Sequence, residues 1–281
     1  MKLYKIFIYT VLILLAVTVA VPVLWVFFAS FKENSEFYGD PWTFPKGLYF
    51  KNFVDAWTDA HMGDHFLNSV TVTLMAIAML LILALPCAYA LSRFSFKGRT
   101  LVKGLMMGGL FINVSYIVVP IFLMLTDLGK LLETSFFLNN HFILALIYAS
   151  TALPFTVYLL QSYFSTLPAA YEEAAAIDGA SPFVTMLRVM LPMARPAVIT
   201  VILFNFLSFW NEYIIALTFM TKDSSKTLPV GLMNLMKAQN AAAEYGKMYA
   251  GLVMVMLPTL ILYICVQKKL THSLAVGGVK G

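Results

Sequence analysis

Residues 167–192 read LPAAYEEAAAIDGASPFVTMLRVMLP, and the order of residue types prescribes a helix, a tight turn and a second helix. Pro168 suits a first helical turn, where its missing N–H costs nothing. Glu172 and Glu173 stand early in the helix, where the positive end of the macrodipole favours acids. Ala169, Ala170, Ala174, Ala175 and Ala176 are strong helix formers with almost no side-chain bulk. Gly179 can take the left-handed conformation that ends a helix. Ser181 then caps the next helix, with Pro182 at its first position. An alanine face buries little area in lipid but lets another backbone approach closely, which suits a docking ridge. The segment fits equally an ordinary interfacial helix linking two membrane spans, and the residues alone leave both readings open.

The chain on either side is apolar. Of its 281 residues 60% are hydrophobic and 12% charged, against about 45–50% and about 25% in an average soluble domain. Six stretches of roughly 20 residues carry few or no charges, and each can cross a hydrocarbon core about 30 Å thick as a helix. The expected spans are 6–30, 68–91, 105–125, 142–163, 196–219 and 249–266. The first follows Lys2 and Lys5 as a signal peptide would, but it exceeds a signal core of about 7–15 residues and is expected to be a retained helix. Pro22, Pro86, Pro120, Pro154 and Pro258 interrupt the spans, and each removes a backbone donor. The expected fold is an all-α membrane protein, one transmembrane domain over 1–281.

Charge orients the spans. The loop 92–103 carries Arg93, Lys97, Arg99 and Lys103 and no acid, which places it in the cytoplasm by the positive-inside rule. Lys2 and Lys5 at one end, and Lys268 and Lys269 at the other, agree with six spans and two cytoplasmic termini. The same alternation puts 167–192 in the cytoplasm. The stretch 31–66 holds six acids against three lysines, Lys32, Lys46 and Lys51, and belongs outside. Its Trp42, Tyr49, Phe50 and Trp57 suit a membrane interface or a docking surface. The loop 127–140 is outside as well.

Several function classes are disfavoured. The net charge of +5 reflects basic cytoplasmic loops, and no basic face with groove-entering elements marks a nucleic-acid partner. Cys87 and Cys265 lie in apolar runs and read as small hydrophobes. His61 and His65 have helical i, i+4 spacing around Asp64, but without further ligands they read as a wet polar loop and no metal site is expected. No G-x-x-x-x-G-K-[ST] phosphate loop occurs, so ATP would have to be handled by another chain. No His, Asp or Cys constellation supports a membrane enzyme. A secondary transporter is the weaker alternative, since no internal repeat is visible and Glu212 is almost alone as an ionisable residue within a span.

The run Glu173-Ala174-Ala175, followed by Gly179 and by Leu191-Pro192, resembles the EAA loop of the permeases of ABC importers. Ala90–Arg99 (ALSRFSFKGR), Trp210-Asn211-Glu212-Tyr213, Thr227–Gly231 (TLPVG) and the ending Gly277-Gly278-Val279-Lys280-Gly281 are similar to the carbohydrate branch of that family, maltose-permease-like and MetI-like. The resemblance implies the fold of type I importer permeases, six transmembrane helices with a cytoplasmic coupling helix. It implies that Tyr171, Glu172, Glu173, Ala174, Ala175, Asp178 and Gly179 contact an ATPase. It further implies that the tail reaches between two ATPase subunits. The implied partners are a second homologous permease, an ATPase homodimer that binds ATP and Mg, an extracytoplasmic solute-binding protein and membrane lipid. This chain itself would bind no cofactor and be no enzyme. The implied cargo is a sugar or oligosaccharide, with another polar solute such as a glycerol phosphodiester or polyol as the alternative, and the location is a bacterial inner membrane. Asn205, Ser208, Trp210, Asn211 and Glu212 are chemically suited to hydroxyl-rich rings and are candidates for the solute path. The same groups suit bonding between neighbouring helices or an outer interface, and both readings stand at this point.

Overall fold

The computed structural model describes residues 2–38, 41–242 and 244–277. Among them the regular structure is helical, with no strand. The order is α1 (Lys2–Ala29), α2 (Lys51–Thr58), α3 (Met62–Arg93), α4 (Arg99–Gly109), α5 (Val114–Leu131), α6 (His141–Thr166), α7 (Ala170–Ile177), α8 (Pro182–Met193), α9 (Arg195–Trp210), α10 (Ile214–Phe219), α11 (Leu228–Ala242) and α12 (Tyr245–Gly277). Helix α8 contains a π turn at Met186–Met190.

Among the described residues, five helices are long and apolar enough to cross a membrane, α1, α3, α5, α6 and α12 as far as Gln267. The pair α8 and α9, bent by 78°, makes a sixth if it is one span. Two expected spans are divided. The stretch 105–125 is split between α4 and α5, because the Asn113 side chain accepts from the Ser115 N–H at 2.9 Å and starts a new helix. The weak helix formers Gly108 and Gly109 stand at the end of α4. The stretch 196–219 is likewise broken at 211–213.

The chain forms two compact units. The first comprises residues 1–66 and 228–261. Its α1 is apolar and, up to its last turns, exposed all round, with Ile13, Leu14 and Leu15 open to the surroundings, the pattern of a helix whose neighbour is lipid. The region after α1 is built rather than loose. Lys32, in the stretch expected outside the membrane, is buried; its Nζ donates to Pro41 O at 2.7 Å and lies 5.7 Å from the centre of the Phe37 ring. Asn52 donates to the carbonyls of Ser30 and Lys32, at 2.9 and 2.8 Å, just beyond the last turn of α1. Trp25 and Phe37 pack on Tyr249 of α12. His65, expected to be wet, is buried in the first turn of α3 against Gly231, where a Cβ would have no room.

The second unit comprises 67–227 and 262–281. Helix α6 is its centre and packs against α9 and α4. Leu144, Tyr148, Leu160 and Phe164 of α6 are buried, and Tyr148 stacks on Phe209 at 5.4 Å. Asn139, in the left-handed conformation at φ 54°, joins the loop before α6 to the loop after α10. Its N–H donates to Phe219 O, and its Oδ1 accepts from Lys222 N and Ser225 Oγ.

Candidate functional site

The segment between α6 and α8 takes the form that its residue order prescribes. Leu167 is extended at ψ 138°, as expected of a residue before proline, and closes α6. Pro168 precedes α7 rather than sitting in its first turn; Ala169 is the N-terminal cap. Gly179 has φ +79°. The Ala180 N–H donates to Ala175 O at 2.9 Å and the Gly179 N–H to Ala176 O at 3.0 Å, the two bonds of a Schellman ending. Ser181 Oγ then accepts from the Val184 N–H at 3.5 Å and starts α8 at Pro182.

Helix α7 has two unlike sides. Ala175 is buried and Glu172 is turned inward, while Tyr171, Glu173, Ala174, Asp178 and Gly179 are exposed. Sequence reasoning passed over Ile177, which is 87% exposed, and Phe183, which is 64% exposed. Both are large apolar residues in a segment otherwise small or acidic, and that contrast was the available signal.

Glu172 meets the end of α3. Tyr89 Oη donates to Glu172 Oε1 at 2.6 Å, and Arg93 Nε lies 3.0 Å from Glu172 Oε2. The second contact is an ion pair without the alignment of a hydrogen bond. Arg93 Nη2 donates to Leu167 O at 2.6 Å. One guanidinium therefore joins the ends of α3 and α6 to the start of α7. The charges suit their places, with a cation at the carbonyl ends of two helices and an acid in the first turn of a third. Arg99 turns back from α4 and donates to Leu91 O at 3.1 and 2.9 Å, which fixes the loop between. Tyr89 is held by the rings of Phe94 and Phe164, each at 5.7 Å. Tyr89 and Arg93 were not among the expected site residues.

The break between α9 and α10 is made by Glu212. Its carboxylate accepts from the Ile215 and Ala216 N–H groups at 2.8 and 3.0 Å, and from Tyr148 Oη at 2.9 Å. A cavity of about 230 Å³ opens here, with Ser115, Tyr148, Thr151, Ser208 and Glu212 supplying its polar lining. Of the five candidates on this stretch, Ser208 and Glu212 line it. Asn205 is 4% exposed, and its amide donates to Thr156 Oγ1 at 3.0 Å and Val201 O at 2.7 Å. Trp210 is buried and stacked on Phe206 at 5.6 Å. Both are held among protein neighbours, and neither lines the cavity. Asn211 is exposed, with its amide on Leu207 O. Gly277 ends α12, and Gly278, Val279, Lys280 and Gly281 lie outside the described residues.

Comparison with known proteins agrees with this architecture. The chain is 38% identical over 269 residues to a diacetylchitobiose uptake system permease protein of Streptomyces coelicolor, covering 96% of this chain and 87% of that one. It is 30% identical over 272 residues to a trehalose/maltose transport system permease protein of Thermococcus litoralis, covering 96% and 94%. Among solved structures, a chain of a bacterial ABC transporter involved in the import of the acidic polysaccharide alginate superposes with a TM-score of 0.81 at 25% identity, covering 95% of this chain and 96% of that one. Residues 63–268 match the model of a family described as the inner membrane component of binding-protein-dependent transport systems. The chain belongs to that family, the multi-pass permeases of ABC importers.

Proposed function

We propose that this chain is one of two homologous permeases in an ATP-driven importer of a sugar or oligosaccharide, and that the outer side of α7 docks on a separate ATPase. The observation that carries the docking reading is the two-sidedness of α7. Its inward residues fasten it to its own unit, while Tyr171, Glu173, Ala174, Ile177, Asp178 and Gly179 remain outside. Exposed apolar area marks an interaction surface when it is gathered in one patch, and Tyr171 and Ile177 supply it on α7. Phe183, at the start of α8, is a further exposed apolar residue of the same segment.

The sugar reading is supported by the names of the two relatives, each a saccharide transport system, and by the hydroxyls and the carboxylate around the cavity. A glycerol phosphodiester or polyol is the alternative cargo. ATP and Mg belong to an ATPase homodimer, and solute is delivered by an extracytoplasmic binding protein. Both termini are cytoplasmic in a bacterial inner membrane, and the tail after Gly277 reaches the ATPase pair. Within the path, Ser208 and Glu212 are the first contacts, with Asn205 and Asn211 on the same stretch.

The test replaces Ile177 with Asp and Glu173 with Lys. Both variants are expected to insert normally, to lose the ATPase on co-purification and to stop uptake of labelled diacetylchitobiose, maltose and trehalose. Retention of the ATPase in both would refute docking through α7. Failure of the wild-type importer to take up any of the three sugars, with uptake of a glycerol phosphodiester instead, would move the cargo to the alternative.

A further inference from the structure

We infer that Glu172, Arg93 and Tyr89 form the linkage by which α7 moves the membrane end of its own unit, so that Glu172 is a positioning residue inside the permease and not a contact with the ATPase. This rests on the docking reading of α7, which it deepens.

The geometry has three parts. Glu172 is turned away from the exposed side of α7, and its side chain is 19% exposed. Both its oxygens are engaged by α3, one by Tyr89 Oη at 2.6 Å and the other by Arg93 Nε at 3.0 Å. The guanidinium that holds it also holds Leu167 O, the carbonyl that closes α6. A displacement of α7 is thus delivered at one point to two long helices. Glu173, the next residue, faces outward. The adjacent acids have separate duties, one toward a partner and one toward the membrane.

Removing one member of such a pair leaves the other charge poorly compensated, yet the hydrophobic seating of α7 through Ala175 and of Tyr89 between Phe94 and Phe164 does not depend on charge. Loss of the linkage should therefore leave the helix docked and the units folded, and weaken only the transfer of motion. Mutations along a coupling network change coupling by about 2- to 30-fold.

The experiment uses the intact importer, purified through this chain and reconstituted. Cys87 and Cys265 are replaced by alanine, and Ser208→Cys supplies a thiol in the cavity, more than a helix length from the linkage along the chain. The probe is the rate of labelling at position 208 by a small maleimide, with and without MgATP and vanadate. This readout needs no transported solute and is independent of the sugar reading. Glu172→Gln, Arg93→Lys and Tyr89→Phe are compared, together with the charge exchange Glu172→Arg with Arg93→Glu. The expected result is an ATPase that co-purifies at the wild-type ratio and an ATP-driven change in labelling reduced about 2- to 30-fold in Glu172→Gln and Arg93→Lys. Tyr89→Phe, which removes a single hydroxyl and leaves the rings packed, should show a smaller loss, and the charge exchange should recover part of it. An undiminished ATP response in Glu172→Gln, Arg93→Lys and Tyr89→Phe overturns the inference. Loss of the ATPase from Glu172→Gln also overturns it, because Glu172 would then be a docking residue. If Glu172→Gln does not fold and insert in the membrane, Tyr89→Phe and Arg93→Lys decide by the same criterion. A wild-type complex whose labelling ignores ATP removes the docking reading and this inference together, whereas a responsive wild type with equally responsive variants removes the inference alone.

Discussion

Gly179 stands at φ +79° with open space where a Cβ would project. The demand there is conformational, since a Cβ would meet no atom within 4 Å but would strain the backbone by about 1–2 kcal/mol. Asparagine tolerates this region best among residues with a Cβ, and a β-branched residue is further restricted at χ1. Uptake and the thermal midpoint in detergent should fall in the order Gly, Asn, Ala, Val at this position; valine equal to glycine in both would refute the requirement. Local features of this kind were legible in the residue order. The turn at Gly179 and the cap at Ser181 each follow from two or three neighbouring residues. The division of labour between Glu172 and Glu173 was not. It is decided by Arg93 and Tyr89, which arrive from a distant helix, and nothing adjacent to the two acids distinguishes them.

Among the elements, the interrupted helix of α9 and α10 shows what hydropathy overlooks. The stretch 196–219 is apolar enough to read as one helix, but the Glu212 carboxylate takes up the Ile215 and Ala216 N–H groups and begins a second one. Glu212→Ala should remove this cap, worth about 0.5–2 kcal/mol, and leave the Tyr148 hydroxyl without its acceptor, at about 1–3 kcal/mol more. Glu212→Gln keeps an oxygen for the helix start and should lose less. The thermal midpoints of the two variants, read by size exclusion in detergent, check this. Equal midpoints would mean that the break is held by packing alone. Asn113 does the same for α5, so both missed boundaries share a cause: a side-chain acceptor within an apolar run. The remaining long helices extend past the expected spans, for example α3 from Met62 rather than 68, because polar residues at a membrane interface continue a helix that a count of apolar residues ends early.

For the whole molecule, the helical class and the long apolar crossings were plain from composition and run length, because in lipid a backbone must satisfy its own donors and acceptors. The compact fastening after α1 was not, since Lys32 and His65 are polar types whose burial depends on how the irregular segment after α1 folds back and, for His65, on the distant Gly231. The sidedness of the molecule is tested by single cysteines at Asp59 and Lys97, both exposed, in a background with Cys87 and Cys265 replaced. An impermeant maleimide on intact cells should label at 59 and reach 97 only after permeabilisation; the opposite pattern would invert the topology. Length along the chain is not equally fixed everywhere. The π turn at Met186–Met190, where the Leu191 N–H returns to Met186 O, holds one residue more than an α-helix needs to join the same two ends. It is the slack in a line that is elsewhere taut. A residue deleted from α7 would turn everything after it by about 100°, whereas one deleted from this turn leaves an ordinary α-helix with its two ends facing as before.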